Sequence, residues 1–116
     1  MSSDVGRLAM RLKIHALWSP DIPERSSGLP PDFREFSVFM QVSVSQRLHR
    51  GHEVFQFFAC SPSRSRPEQQ PVLEFEEFDW VAIRKRITAI LSECHSCRTW
   101  DEVVAKLSHS LEYSDR

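Results

Sequence analysis

Alternation of apolar and polar side chains is sharpest between residues 36 and 60. Phe36, Val38, Met40, Val42 and Val44 take every second position there, with Ser37, Phe39, Gln41, Ser43 and Ser45 between them. A period of two sends the two sets to opposite faces of a strand. After the short loop QRLHRG a second run sets Phe55, Phe57 and Ala59 against Val54, Gln56, Phe58 and Cys60. Pairing Val42 with Phe55 and Met40 with Phe57 merges the apolar faces of both strands, and a slip of one residue would undo the match. The same register puts Phe39 beside Phe58 and Gln41 beside Gln56 on the reverse face, which is only half polar.

Weaker versions of the pattern lie on either side. Over residues 8–17, Leu8, Met10, Leu12, Ile14 and Ala16 alternate with Ala9, Arg11, Lys13, His15 and Leu17, which predicts a half-buried strand with a basic wet side. Ser19-Pro20-Asp21 ends it, because proline supplies no donor to a ladder. Residues 22–32 carry three prolines and a glycine and form an irregular connection. Beyond the hairpin, the Ser/Arg/Pro-rich residues 61–71 read as a polar loop. Leu73 and Phe75 alternating with Glu74 and Glu76 predict a fourth strand over 72–78.

The period then lengthens. Trp80, Ile83, Ile87, Ile90, Leu91 and Cys94 follow helical spacing behind Asp79, a suitable cap, predicting a helix from 80 to about 94. Thr99-Trp100-Asp101-Glu102 is a capping box that opens a second helix reaching about residue 111, and 112–116 read as a polar tail. Four strands followed by two helices predict a single α+β domain over residues 1–116. Its four-stranded, mostly antiparallel sheet is expected in the order 1-2-3-4, with both C-terminal helices on the Met40/Phe57 face. The other face stays open. Phe39, Phe58, Val54, Gln41 and Gln56 occupy its centre, with Arg11, Lys13 and His15 on one side and Glu74 and Glu76 on the other.

Composition narrows the function classes. In a chain of 116 residues, 15 basic and 16 acidic side chains leave a net charge of −1. Such a balance provides no long-range attraction to nucleic acid or to a membrane surface. MSSDVGRLAM contains no apolar signal core, and no uncharged apolar run approaches the length of a spanning helix. The expected location is the cytoplasm, where the odd cysteine count of three fits reduced thiols.

Candidate chemistry is sparse. Cys94-His95-Ser96-Cys97 has the spacing of redox dithiols and of half a zinc site. A reactive first cysteine belongs at a helix N-terminus, however, and Cys94 falls at a helix end; a buried turn between helices is the plainer reading. Arg47, His49, Arg50 and His52 around the hairpin loop read either as a solvated turn or as a small anion contact. With glycine only at positions 6, 28 and 51 there is no phosphate-cradling loop, and no nucleophile elbow is present. The acidic run Glu68, Glu74, Glu76, Glu77 and Asp79 is either the wet side of an edge strand with a helix cap or a surface complementary to a basic partner.

The strand LKIHALWSPDI, the pattern Phe36-x-Val38-x-Met40-Gln41-Val42-x-Val44, the segment from Glu53-Val54-Phe55 to Ala59-Cys60-Ser61-Pro62, and Thr99-Trp100-Asp101-Glu102-Val103 with Lys106-Leu107 occur in order along nearly the whole chain. In this the chain resembles the immunity protein 8 family of bacterial polymorphic toxin systems. The resemblance implies a small cytosolic, non-catalytic protein whose partner is a cognate toxin domain, with no cofactor or metal. Partner-binding residues are then expected on the open sheet face at Phe39, Gln41, Gln56 and Phe58, with Glu74 and Glu76 supplying electrostatic selection. The competing readings are a metal- or thiol-dependent small enzyme using Cys94 and Cys97, and a non-catalytic scaffold subunit.

Overall fold

The computed structural model describes residues 11–22, 28–46, 51–66, 68 and 71–114. The chain is α+β, with β1 (Leu12–Trp18), β2 (Ser37–Gln46), β3 (His52–Cys60) and β4 (Val72–Glu74) followed by α1 (Trp80–Ser92), α2 (Trp100–Leu107) and β5 (Glu112–Ser114). Strands β1 to β4 lie side by side in sequence order, as expected, and β5 also pairs with β3. The β2–β3 register is the one the alternation predicts, Val42 opposite Phe55, Met40 opposite Phe57, Gln41 opposite Gln56 and Phe39 opposite Phe58. Val38, Met40, Val42, Val44, Phe55, Phe57 and Ala59 are buried, and they share one core with Ile83, Ile87, Ile90, Leu91, Val103 and Leu107 of the helices.

The sheet has five strands rather than four, and it is mixed. β4 runs parallel to β3, pairing Phe58 with Val72 and Cys60 with Glu74. β5 runs antiparallel to the other half of the same edge, pairing Val54 with Ser114 and Gln56 with Glu112. A strand of three residues covers only part of a strand of nine, so backbone groups at Val54–Gln56 remain for a second partner. The stretch expected to be a polar tail supplies it. Leu111, fully buried, anchors its start, and α2 accordingly ends at Leu107 instead of about 111.

Strand β1 departs from simple alternation. Leu8, Ala9 and Met10 lie outside the described residues, and the register slips between Ile14, opposite Val44, and Ala16, opposite Ser43. His15 is thus the extra residue of a bulge, which reverses the facing of everything after it. Leu17, expected on the wet side, is buried opposite Val42, whereas Ala16, expected inside, faces outward. The slip lets Leu17 join the core. It also turns Trp18 outward, where its indole Nε1 donates to Gln41 Oε1 at 2.9 Å.

Helix starts follow their sequence signals. Asp79 accepts from the Val81 amide at 2.9 Å, and Thr99 Oγ1 accepts from the Glu102 amide at 3.2 Å. Glu102 in turn accepts from the Arg98 amide at 2.7 Å, one residue before the cap. Since α2 has only eight residues, its cap is a large share of its local stability. Thr99→Ala is expected to cost about 1 kcal/mol, measured as a lower urea midpoint at unchanged slope. A loss within error would mean that packing of Val103 and Leu107 alone holds the helix.

Candidate functional site

The sheet face opposite the helices is framed by hydrogen bonds that hold its central side chains in place. Phe39 and Phe58, both half-buried, sit with ring centroids 5.4 Å apart and planes tilted by 57°. Next to them Gln41 is pinned by Trp18, and Gln56 Nε2 donates to Glu112 Oε1 at 3.0 Å. The row Trp18, Gln41, Gln56, Glu112 therefore crosses four strands as a polar belt. Each glutamine keeps further hydrogen-bonding capacity beyond that contact.

Phe39 is positioned by the segment that ends β1. Pro20 breaks the ladder, and side chains take the place of the missing strand. Ser19 Oγ donates to the Phe39 carbonyl at 2.6 Å, and Asp21 Oδ2 accepts from the Phe39 amide at 3.2 Å. Ser19-Pro20-Asp21 thus satisfies the backbone of the aromatic residue at the middle of the outer face. Sequence periodicity could not identify this role, because it depends on contacts about twenty residues apart.

The two flanks differ in charge. On the β1 side, the rings of His15 and His52 stack at 4.8 Å with planes 11° apart, bridging β1 and β3 across Ser45. Lys13 lies opposite the same serine. Arg47, His49 and Arg50 of the hairpin loop lie outside the described residues. On the other side, Glu74 is exposed beside Cys60. Glu76 does not continue the strand, because β4 ends at Glu74 and the chain bends towards α1. Both carboxylates line a cleft of about 780 Å³ with Glu77, Asp79, Phe75 and the two arginines Arg34 and Arg86. The six expected contact residues accordingly divide into a central group of four and a pair at an adjoining cleft.

The cysteines are placed for packing. Cys60, Cys94 and Cys97 are all buried and unbridged. Cys94 and Cys97 share a turn in which the Cys97 amide donates to the Cys94 carbonyl at 2.9 Å. Burial, followed by the charge and hydrogen bond of Cys97, pushes the Cys94 thiol up to about 12, opposite to the direction that activates a thiolate. The Cys60 thiol is also raised, chiefly by burial, with Ser37 hydrogen bonding in the opposing direction. Among the described residues, no three His, Cys, Asp or Glu side chains are grouped to hold a metal.

The outer sheet face is thus half apolar, held by hydrogen bonds and backed by a closed core. Comparison with protein families gives the class of the chain. Residues 12–115 match the model of the family described as Immunity protein 8, and the chain belongs to that family. Comparisons with curated proteins and with solved structures returned no match. Among the described residues, no helix is long and apolar enough to cross a membrane.

Proposed function

We propose that this chain is a non-catalytic immunity protein of a bacterial polymorphic toxin system, acting in the cytoplasm by binding its cognate toxin domain and occluding it. Family membership supports a toxin as the partner. The observation that carries the binding surface is the half-buried Phe39/Phe58 pair on the sheet face that no described helix covers, held between two anchored glutamines. Side chains ordered before the partner arrives lose less entropy on association, which favours affinity. Phe39 and Phe58 act as apolar anchors, Gln41 and Gln56 as hydrogen-bonding groups around them, and Glu74 and Glu76 as charges that select a basic partner.

The test is direct binding to the toxin domain that a neighbouring gene is expected to encode. Phe39→Ala combined with Phe58→Ala is expected to weaken the complex by at least about tenfold, mainly through faster dissociation. The unfolding transition should stay cooperative. An affinity equal to that of the unaltered chain would remove the sheet face from the interface.

A further inference from the structure

Three of the four exposed large hydrophobic side chains among the described residues, Leu29, Phe33 and Val81, lie on two segments that long-range hydrogen bonds join at the N-terminal end of α1; Tyr113 is the fourth. Trp80 Nε1 donates to the Gly28 carbonyl at 2.6 Å, and the Phe78 amide donates to the Phe33 carbonyl at 2.7 Å. These tie residues 28–33 to the first turn of α1. The ties hold Leu29 and Val81 in water at 59% and 62% exposure, although both are large enough to bury profitably. An apolar group of this kind beside a charged rim is a feature of interaction surfaces.

The rim is acidic and only partly neutralised. Arg34 pairs with Glu77 at 3.7 Å. Arg86, which also lines the cleft, lies over the Phe75 ring at 4.6 Å and donates to the Glu74 carbonyl. The Asp79 carboxylate caps α1. Glu74 and Glu76 have no ion-pair partner among the described residues, and both line the cleft next to this end. The cleft is bounded on its apolar side by Phe75 and Ala82. Its four carboxylates, Glu74, Glu76, Glu77 and Asp79, outnumber its two arginines, Arg34 and Arg86, and such a balance suits the cationic head of a lysine or arginine.

We propose that this end of the molecule is a second docking surface, which takes a basic segment of the toxin domain. An apolar side chain of that segment covers Leu29 and Val81 beside Phe33, whose ring lies under the Arg34 guanidinium at 5.4 Å, and a neighbouring lysine or arginine enters the Glu74/Glu76 cleft. The proposal rests on the toxin-binding reading for the source of the segment, and it predicts an interface that extends from the sheet face around to the start of α1. Charge in the cleft accelerates encounter and makes it salt-sensitive, whereas the apolar group sets dissociation.

Leu29→Ser with Val81→Ser alters only this surface, both positions being exposed and outside the core. Against the toxin domain, this variant is expected to bind about tenfold more weakly at every salt concentration. Glu74→Gln with Glu76→Gln should instead lose affinity at low salt and flatten its salt dependence, with the thermal midpoint unchanged in both variants. Unaltered affinity and salt slope in both would overturn the proposal even while Phe39→Ala/Phe58→Ala still weakens the complex. If the unaltered chain forms no complex with the toxin domain, the toxin reading fails by itself. The surface is then judged with a short synthetic lysine/leucine peptide, followed by amide chemical shifts. Shifts confined to residues 28–35 and 74–82 support the surface, and shifts elsewhere or none overturn it.

Discussion

Phe57→Ala is expected to lower the unfolding free energy by about 3–5 kcal/mol, while Phe58→Ala, one position along the same strand, should cost about 1 kcal/mol or less. The two rings differ in the face to which alternation assigns them. Phe57 is 1% exposed and opposite Met40, in the core shared with Ile83 and Ile87. Its removal leaves a cavity that rigid strands on either side cannot fill. Phe58 is half-buried against Phe39 on the side that carries no helix among the described residues, and water can occupy the vacated volume. Urea denaturation of the two variants measures the difference. Equal losses would show that the outer face is covered as thoroughly as the inner one, and the reading of that face as a partner surface would fall with it.

Leu111→Ala should be the most damaging change near the C-terminus, at about 2–5 kcal/mol. Leu111 is fully buried and its amide donates to the Leu107 carbonyl at 2.7 Å, so it fixes the point where α2 stops and β5 begins. Loosening it frees β5 from Val54–Gln56 and releases Glu112 from Gln56. Amide hydrogen exchange at residues 54–56 should therefore accelerate more than exchange on the β2 side of the sheet. Toxin binding should weaken without any contact residue having been altered, because Gln56 loses its anchor. Tyr113→Phe is the matching control. It deletes only the hydroxyl that donates to Glu53 Oε1 at 2.6 Å at an exposed site, and is expected to cost less than about 1 kcal/mol. If Leu111→Ala leaves exchange at residues 54–56 unchanged, β5 is not what holds that edge.

Where sequence reasoning succeeded, the information was local. The register of the central hairpin, the inner and outer sets on β2 and β3, and both helix caps follow from the direction of successive side chains and from hydroxyl or carboxylate groups beside free amides. Strand β1 shows the limit of that logic. Nothing in HALW marks His15 as an extra residue; the bulge arises because Leu17 gains a place in the core and Trp18 a partner in Gln41. Alternation therefore shows only half of the polar belt, Gln41 and Gln56, and not Trp18 and Glu112, which join it through tertiary contacts. Alternation alone puts Glu76 on a strand face, yet the chain turns after Glu74 to begin α1.

By itself, then, the sequence determined which side chains face inward on the central hairpin, the α+β class, the order of the first four strands and the aromatic pair left on the outer face. Alternation and helical spacing are properties of neighbouring peptide units and need no knowledge of distant chain. Tertiary structure decided what covers the free edge of β3, which is divided between the parallel β4 and the antiparallel β5. It also decided how Ser19 and Asp21 seat Phe39, and how residues 28–33 dock on α1 with Leu29, Phe33 and Val81 left in water. These outcomes depend on which backbone donors and apolar surfaces remain once the core has closed, and segments far apart in the chain compete to satisfy them.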